Sequence, residues 1–355
     1  MFQFVSRRLL LAIPVIFGIL VVTFLLARLI PGDPCKSIIG EKATEEACEA
    51  FYEAKGLNEP IPVQFAVYMG DLAQGDFGDS IRFSRPVTQI MVERLPLTIE
   101  LTMAALAIAL IVGIPLGIIS AMRHNSAVDV GTMAFANIGV SMPVFWLGLM
   151  MIWLFAFKLG LFPPSGRLTA GVVSIPYYVA WGWPVEEGTF WFTLNEFISN
   201  HYIFNSLITW DWAVLRDSVH HLVLPAVALS TIPMAIIARM TRSSLLDTMG
   251  RDYVRTARAK GARDRRVVVR HALRNALLPV VTIIGLQLGA LLSGAVLTET
   301  VFGLAGAGTM LFEAITARDF PIITAFTVVI AVGYVVINLI VDVSYAYLDP
   351  RIRLE

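Results

Sequence analysis

Long apolar runs, separated by polar and charged segments, dominate the pattern along this 355-residue chain. Because a backbone inside a membrane must satisfy its hydrogen bonds internally, such runs predict transmembrane helices. The pattern predicts an all-α polytopic membrane protein with six transmembrane helices and both termini on one side. The third run is long enough to tilt or to include an interfacial turn. Runs able to cross roughly 30 Å of hydrocarbon occupy residues 9–29, 97–122, 130–157, 222–238, 277–297 and 322–345.

Composition also indicates a membrane protein. Hydrophobic residues make up 57% of the chain and charged residues 15%, with a mean hydropathy of +0.72. Soluble domains average about 45–50% and about 25% for the same classes. The formal net charge is zero, so only the sorting of charges between segments is informative.

Lysine and arginine collect at four places: Arg7 and Arg8, Arg123, residues 251–279, and Arg351 and Arg353. Positively charged segments resist translocation, so these places are expected in the cytoplasm. This predicts a multi-pass protein of the plasma (inner) membrane with cytoplasmic N- and C-termini. The segment 31–96 has an excess of acidic residues, and 166–219 has almost no basic ones. Both are expected outside the cell.

The first outer segment contains both cysteines, Cys35 and Cys48. An oxidising compartment favours a structural disulfide between them over two free thiols. A metal site is not expected, since no histidine accompanies them and four ligands are normally needed. The same segment predicts a helix over 44–54, which Thr44 caps and Gly56 ends.

The second outer segment is rich in tryptophan. Indole rings favour the headgroup layer, which predicts a hairpin or re-entrant flap on the outer leaflet. Tryptophan also dominates protein interfaces, so a docking surface for a soluble partner is the alternative. The tryptophans are Trp181, Trp183, Trp191, Trp210 and Trp212.

Residues 251–279, between the fourth and fifth runs, are dense in arginine and compatible with helix. Tyr253, Val254 and Ala257 provide a small apolar face at helical spacing. Gly261 is predicted to end this first helix, and a second basic helix is predicted to start near Asp264. Such a surface helix suits a soluble partner that pushes on the membrane helices. The alternative is a polybasic loop that binds anionic lipid.

The chain lacks the motifs of several chemistries. It has no glycine-rich phosphate loop ending in Gly-Lys-Ser/Thr, no HExxH and no Gly-x-Ser-x-Gly. Ionisable residues are scarce within the runs, whereas proton-driven carriers need them at depth. We therefore expect no enzyme, no cofactor and no metal, with the energy for any transport supplied by another subunit.

The loop resembles the cytoplasmic loop of ABC importer permeases, which reads Glu-Ala-Ala, three residues, Gly, nine residues, Ile, one residue, Leu-Pro. Here Ala257, Gly261 and Leu273 match that pattern. Arg255, Thr256, His271 and Arg274 stand in place of its Glu, first Ala, Ile and Pro.

Other stretches resemble the B-type permease subunit of dipeptide and oligopeptide ABC importers. Ala305 departs from that family, which tends to place proline there. The stretches are GDFGDSIRFSRPV (75–87), RLPLTIEL (94–101), SMPVFWLG (141–148), GLFPPSGR (160–167), ETVFGLAGAGTMLFEAITARDFP (299–321) and DVSYAYLDPRIR (342–353).

The resemblance implies the ABC type I importer permease fold, with a small external subdomain between helices 1 and 2. It divides the chain into a cytoplasmic N-terminus and first helix (1–30), an external periplasmic subdomain (31–96), a permease core (97–347) and a cytoplasmic tail (348–355). The core includes the external insert 166–219 and a coupling loop (245–276). The residues expected to couple to ATPase subunits are Tyr253, Arg255, Thr256, Ala257, Gly261, Ala262, His271, Leu273 and Arg274.

The resemblance also implies partners: a second homologous permease, two cytoplasmic ATPase subunits that hydrolyse the ATP, and an external substrate-binding protein. Di- and oligopeptides are the expected cargo, although relatives handle nickel chelates, opines and oligosaccharides. Two other functions stay open at this point. One is a membrane scaffold without transport, and the other is an ion-coupled secondary carrier.

Overall fold

The structure is a computed structural model that describes residues 2–29, 35, 40, 43–54 and 56–348. Residues 349–355 of the predicted tail, with Arg351 and Arg353, lie outside the described residues. Within the described parts, the only β pairing is an isolated bridge between Asp79 and Pro86. The α-helices are α1 Phe2–Leu29, α2 Glu45–Ala54, α3 Ile61–Ala73, α4 Val87–Met122, α5 Ala127–Ser141, α6 Val144–Met151, α7 Tyr177–Ala180, α8 Phe190–Ser199, α9 Tyr202–Ile208, α10 Trp212–Met249, α11 Asp252–Ala259, α12 Asp264–Arg266, α13 Leu273–Val301, α14 Ala307–Ala317 and α15 Phe320–Leu348. Two π-helical segments, Ile152–Lys158 and Val267–Ala272, continue α6 and join α12 to α13.

Among the described residues, five helices are long and apolar enough to cross a membrane, and a bent pair of helices makes a sixth if the two are counted as one span. The predicted all-α polytopic fold is therefore confirmed. Two helices run well beyond their apolar runs: α4 starts at Val87 and α10 at Trp212. The spans are Ser6–Leu26, Val87–Met122, Trp212–Met249, Asp264–Leu292 and Phe320–Ser344, with the bent pair Ala127–Ser141 and Val144–Lys158.

The third apolar run is the one that differs from a straight crossing. It is broken between α5 and α6, whose axes diverge by 100°. Met142 is extended (φ −117°, ψ 138°) and Pro143 caps α6. A residue before proline is pushed out of the α region, which explains why an unbroken apolar run bends here.

Glycines allow the central helices to approach closely. An added Cβ at Gly113 or Gly117 of α4 would meet the carbonyl oxygens of Met234 or Ala238 on α10 at 2.9 and 2.5 Å. Gly285 and Gly289 on α13 lie in the same way against side chains of α15. Small residues one helical turn apart allow helix backbones to approach in this way. Helix α10 is the most enclosed span, with 72% of its apolar window buried.

Helix α1 lies at the edge of the bundle against α15. Phe24 is buried, whereas Leu10 and Ile13 are mostly exposed. Arg8 of α1 forms an ion pair of 3.0 Å with Asp342 of α15. The exposed apolar face is what a lipid-facing helix requires.

The first outer segment contains α2 and α3. Thr44 Oγ1 accepts a hydrogen bond from the Ala47 N–H at 3.3 Å, and Gly56 follows α2 with a φ of +62°. The helix predicted over 44–54 is confirmed. Cys48 on α2 is joined to Cys35 by a disulfide, with the Cα atoms 5.4 Å apart.

The tryptophan-rich segment contains α7, α8 and α9. Asn205, only 1% exposed, holds it together. Its Oδ1 accepts from the Tyr177 N–H at 2.9 Å, and its Nδ2 donates to Ser174 Oγ at 3.0 Å and to the Ile175 carbonyl at 2.7 Å. The five tryptophans of this segment are all exposed, which is compatible with either interpretation of them.

Candidate functional site

The predicted coupling element is a short helix followed by a sharp turn. Helix α11 carries Asp252 in its first turn and Arg258 in its last, which is the charge order that a helix dipole favours. The chain then turns at Gly261, whose φ of +77° is accessible to glycine without a Cβ penalty. The next helix begins at Asp264. The two boundaries predicted from the sequence, Gly261 and Asp264, are confirmed.

One face of α11 is buried against the ends of three long helices. Val254 of α11 is 0% exposed, and fully burying a valine side chain contributes roughly 1.5–3 kcal/mol. Ala257 and Ala262 pack at the edge of the same apolar group. We call this group the coupling cluster: Ala121 of α4, Leu245 of α10, Val254 of α11, Val267, Val268 and Ala272 between α12 and α13, and Ala276 of α13. Helices α4, α10 and α13 all contribute to this cluster, so α11 is packed against the ends of all three.

The predicted coupling residues fall into a partly buried set and an exposed set. Ala257, Ala262, His271 and Leu273 are partly buried. On the exposed side, the Tyr253 hydroxyl accepts a hydrogen bond from Asn275 Nδ2 of α13 at 2.8 Å. The exposed set is Tyr253, Arg255, Thr256, Gly261 and Arg274. All of the predicted coupling residues thus lie at one end of the bundle. One side of this element packs against the membrane helices, and the other side is exposed.

The open edge is strongly basic. Arg255 lies 3.5 Å from Asp252, and Arg258 lies 3.8 Å from Asp264. Exposed pairs of this kind contribute about 0–1 kcal/mol, so they do not restrain the surface. The other exposed arginines are Arg251, Arg263, Arg265, Arg266, Arg270 and Arg274. This surface carries positive charge that either an acidic protein partner or anionic lipid would complement.

Sequence reasoning missed a buried ion pair at the same end of the bundle. Asp129 of α5 accepts two hydrogen bonds of 2.8 Å from Arg242 of α10, and others from the Ser120 hydroxyl and the Asn125 N–H. Asp129 directly precedes the third apolar run, and a charged residue at the end of a membrane span is ordinary. The spacing Ser126-x-x-Asp129 was an available signal, since it is typical of a helix N-terminus.

A second missed residue, Glu299, lies at the opposite end of the bundle. Its carboxylate is 0% exposed. Oε1 accepts from the Thr98 hydroxyl at 2.5 Å and Oε2 from the Thr309 N–H at 2.8 Å. Thr98 in turn accepts from the Ala307 N–H at 2.8 Å. The stretches RLPLTIEL and ETVFGLAGAG therefore interlock through Thr98 and Glu299.

The departure at Ala305 has a structural explanation. Arg94 Nη1 donates to the Ala305 carbonyl oxygen at 3.1 Å. Because this contact uses the backbone, it does not depend on the side chain at position 305. The substitution is a local change that leaves the loop attached to α4.

Asp319 fastens the outer segment to the start of α15. The carboxylate is 0% exposed, and Oδ2 accepts from the Ser80 hydroxyl at 2.5 Å and from the Arg82 N–H at 3.0 Å. No cluster of three or more His, Cys, Asp or Glu side chains fit to hold a metal ion occurs in the part of the chain that the structure describes. Glu299 and Asp319 are satisfied by hydroxyl and amide donors, and Asp129 also by the Arg242 guanidinium.

The structure is a bundle of membrane helices, and a short basic helix between two of the spans packs against one end of it. This arrangement is typical of a transport permease. The family model for the binding-protein-dependent transport system inner membrane component matches residues 113–354, and the model for the N-terminal part of such components matches 1–102. The chain belongs to the family of inner membrane components of binding-protein-dependent transport systems.

Individual relatives match over nearly their full length. The chain is 45% identical over 353 residues to a dipeptide transport system permease protein of Alkalihalophilus pseudofirmus, covering 99% of this chain and 100% of that protein. It is 42% identical over 355 residues to a di/tripeptide permease protein of Pseudomonas aeruginosa, covering 99% of each. It is 39% identical over 354 residues to an oligopeptide permease protein of Bacillus subtilis, covering 99% and 100%. The resemblance found in the sequence is confirmed, and the chain is a transport permease subunit.

Proposed function

We propose that this chain is one of two homologous permeases in an ABC importer that brings di- and oligopeptides into the cytoplasm. The names of its full-length relatives, which refer to dipeptides, di/tripeptides and oligopeptides, support this cargo. In this proposal an external substrate-binding protein delivers the peptide. Two cytoplasmic ATPase subunits hydrolyse ATP, and this chain itself binds no cofactor.

The burial of Val254 carries the proposed coupling mechanism. Helix α11 is anchored in the coupling cluster by this side chain, while Arg255 and Thr256 on its other side stay exposed. If an ATPase subunit binds the exposed face of α11, it can move α11 as a rigid body. The membrane helices packed against its buried face would then move with it. Closure of the ATPase pair would move α11, and the ends of α4, α10 and α13 would follow.

The sequence supports the orientation that this mechanism needs. The coupling loop is rich in arginine, and the positive-inside rule assigns such loops to the cytoplasm. The disulfide between Cys35 and Cys48 fits an oxidising compartment at the other end. Both termini are then cytoplasmic, as the number of spans requires.

Neither the scaffold nor the ion-coupled carrier gains support from the relatives, which are named as transport permeases. The buried acids Asp129, Glu299 and Asp319 are each held by several fixed hydrogen-bond donors. That arrangement suits structural fastening better than a relay that must take up and release protons.

The test is uptake by the complete assembly in proteoliposomes, with the external binding protein and labelled dialanine. We expect accumulation that needs both ATP and the binding protein, and that an uncoupler leaves unchanged. Uptake that survives without ATP but collapses with the uncoupler would establish the ion-coupled carrier instead. An intact chain that brings no ATPase through purification and supports no uptake would favour the scaffold. Screening the binding protein's ligands then separates peptides from nickel chelates, opines and oligosaccharides.

A further inference from the structure

The insert, residues 166–219, has polar side chains inside and apolar side chains outside. On α9, Asn205 and Ser206 are each 1% exposed, whereas Phe204 is 50% exposed and Leu207 is 46% exposed. A surface helix in water has the reverse arrangement, because burial of its apolar face is what holds it to the protein. The arrangement on α9 is the one expected where the surroundings are themselves apolar.

The other short helices of the insert are arranged in the same way. The Tyr177 hydroxyl donates to Asn195 of α8, and the Tyr178 hydroxyl donates to Glu196 of the same helix. Both tyrosines are buried, whereas Val179, the next residue of α7, is exposed. The polar groups of the insert are therefore used to hold its helices together, and apolar side chains are left on its outside.

Helix α10 gives the depth of the insert. Trp212 is its first residue, and Arg242, which pairs with Asp129, lies 30 positions further along. At the rise of an α-helix this separation is roughly 45 Å, and a bilayer with its headgroup layers is about 40–45 Å thick. Charged groups at the end of a span belong in a headgroup layer. With Arg242 in one headgroup layer, Trp212 lies in the other.

Helix α4 gives a second, independent measure of depth. Glu100 Oε1 accepts a hydrogen bond from the Ile203 N–H of α9 at 2.8 Å, and Glu100 Oε2 pairs with Arg167 at 2.8 Å. Glu100 precedes Arg123, which follows the last residue of α4, by 23 positions. This is roughly 35 Å along the helix, against about 30 Å for the hydrocarbon core. Helix α9 therefore begins at the edge of the hydrocarbon.

The charge of the insert narrows the kind of lipid that it fits. Residues 166–219 contain five acidic and two basic side chains, for a formal net charge of −3. Attraction to anionic headgroups needs clustered lysine or arginine, which this segment lacks. Indole rings, with one polar edge on an apolar body, favour the headgroup layer whatever its charge. All five tryptophans of the insert are exposed.

We propose that the insert lies in the lipid leaflet opposite the coupling loop, with Phe204 and Leu207 against acyl chains and the tryptophans among zwitterionic headgroups. The insert is bonded to α4 through Glu100 and leads directly into α10 at Trp212. It therefore fixes the height in the bilayer of two helices whose other ends contribute to the coupling cluster. The external binding protein and the second permease are the other candidates for covering this surface.

The accessibility of spin labels tests the proposal. Single cysteines replace Phe204, Trp191 or Trp210 and carry a nitroxide, in a complete assembly whose partner subunits lack reactive cysteine. Cys35 and Cys48 are joined to each other and do not react with the label. The assembly is held in phosphatidylcholine nanodiscs without binding protein. Collisions with oxygen, which concentrates among acyl chains, are compared with collisions with chromium oxalate, which stays in water.

Two further positions calibrate the ratio of the two collision rates. Ile13, exposed on α1, is the lipid reference, and Asn58, exposed between α2 and α3, is the water reference. We expect the label at Phe204 to give a ratio of oxygen to chromium oxalate several-fold above that at Asn58 and near that at Ile13. The labels at Trp191 and Trp210 should lie between the references. A ratio at Phe204 equal to that at Asn58 would overturn the proposal, as would a label that neither agent reaches.

The binding protein and the lipid composition supply the remaining arms. Added binding protein should leave both collision rates at Trp191 and Trp210 unchanged, and protection of these labels would make the surface a docking site instead. Replacing a quarter of the phosphatidylcholine by anionic phosphatidylglycerol should also change nothing. A membrane signature that appears only with anionic lipid would contradict the zwitterionic assignment. These measurements need no uptake, so this inference and the proposed function can fail separately.

Discussion

Arg242 of α10 binds Asp129 of α5 through two hydrogen bonds of 2.8 Å. Asp129 is 4% exposed, and the Ser120 that also donates to it lies next to Ala121 of the coupling cluster. A guanidinium that grips a carboxylate with two bonds fixes geometry as well as charge. This pair therefore holds the turn between α4 and α5 onto α10, at the end of the bundle that α11 is seated on.

Breaking this pair should cost substantial stability. We expect Asp129→Asn to destabilise the folded protein, because it leaves the Arg242 guanidinium without its counter-charge. A detergent thermal-stability assay should show this as a lower melting temperature. Asp247→Asn, on the exposed face of α10, is the matched control and should change little. Equal melting temperatures for the two variants would show that the pair does not fasten this end.

Ala257→Glu tests whether the face of α11 that packs on the coupling cluster transmits movement from the ATPase to the membrane helices. The new carboxylate would have to enter the edge of the coupling cluster, where burying a charge is strongly unfavourable. We expect an inserted, assembled transporter that hydrolyses ATP while uptake per ATP falls by roughly tenfold or more.

Ala259→Glu is the control for the added charge, because Ala259 lies on the exposed side of the same helix. It should retain the ratio of uptake to hydrolysis, even if it weakens attachment of the ATPase. Normal coupling in a well-expressed Ala257→Glu variant would count heavily against the lever mechanism.

Gly261 allows a graded test of the turn after α11. Its φ of +77° lies in the left-handed region, and an added Cβ would meet nothing within 4 Å. Gly261→Ala should therefore cost only about 1 kcal/mol of backbone strain and largely preserve uptake. Gly261→Pro cannot adopt this φ at all, so it should displace α11 and uncouple hydrolysis from uptake. The measurement is the ratio of uptake to ATP hydrolysis. Equal ratios for the two variants would show that coupling does not depend on the conformation of this turn.

The sequence predicts the helices well because few structures other than helices can span a membrane. Apolar runs become helices, since the backbone must satisfy itself there. Gly261 and Asp264 mark helix boundaries for local reasons, and both boundaries hold. Pro143 was also a local signal: the restriction it places on Met142 bends the third run, but the continuous apolar character on both sides concealed the break.

The hydrogen bonds between buried polar side chains could not be predicted in the same way, because they join residues far apart in the sequence. Thr98 and Glu299 are 201 positions apart, and Ser80 and Asp319 are 239 apart. Nothing in either local pattern indicates which helix ends meet.

The disulfide should stabilise the outer segment rather than the bundle. Cys35 and Cys48 are 13 residues apart, and closing a loop of this length stabilises a fold by about 3 kcal/mol in the chain-entropy model. The double variant Cys35→Ser/Cys48→Ser should be cut faster by protease within 35–54 while keeping its uptake. Non-reducing peptide mapping of the wild type should recover the two cysteines in one linked peptide pair. Recovery of both as free thiols from freshly isolated protein would contradict the bond.

Thr98→Val tests the interlock at the outer end. The valine keeps the shape but removes the hydroxyl that donates to Glu299 and accepts from Ala307. Two buried polar groups then lose a partner, at about 1–3 kcal/mol each, so the melting temperature should fall by several degrees. Thr316→Val is the control, because the exposed Thr316 hydroxyl only bonds back to the Phe312 carbonyl of its own helix. A Thr98→Val protein as stable as the wild type would show that the hydrogen bonds of Thr98 do not fasten this loop.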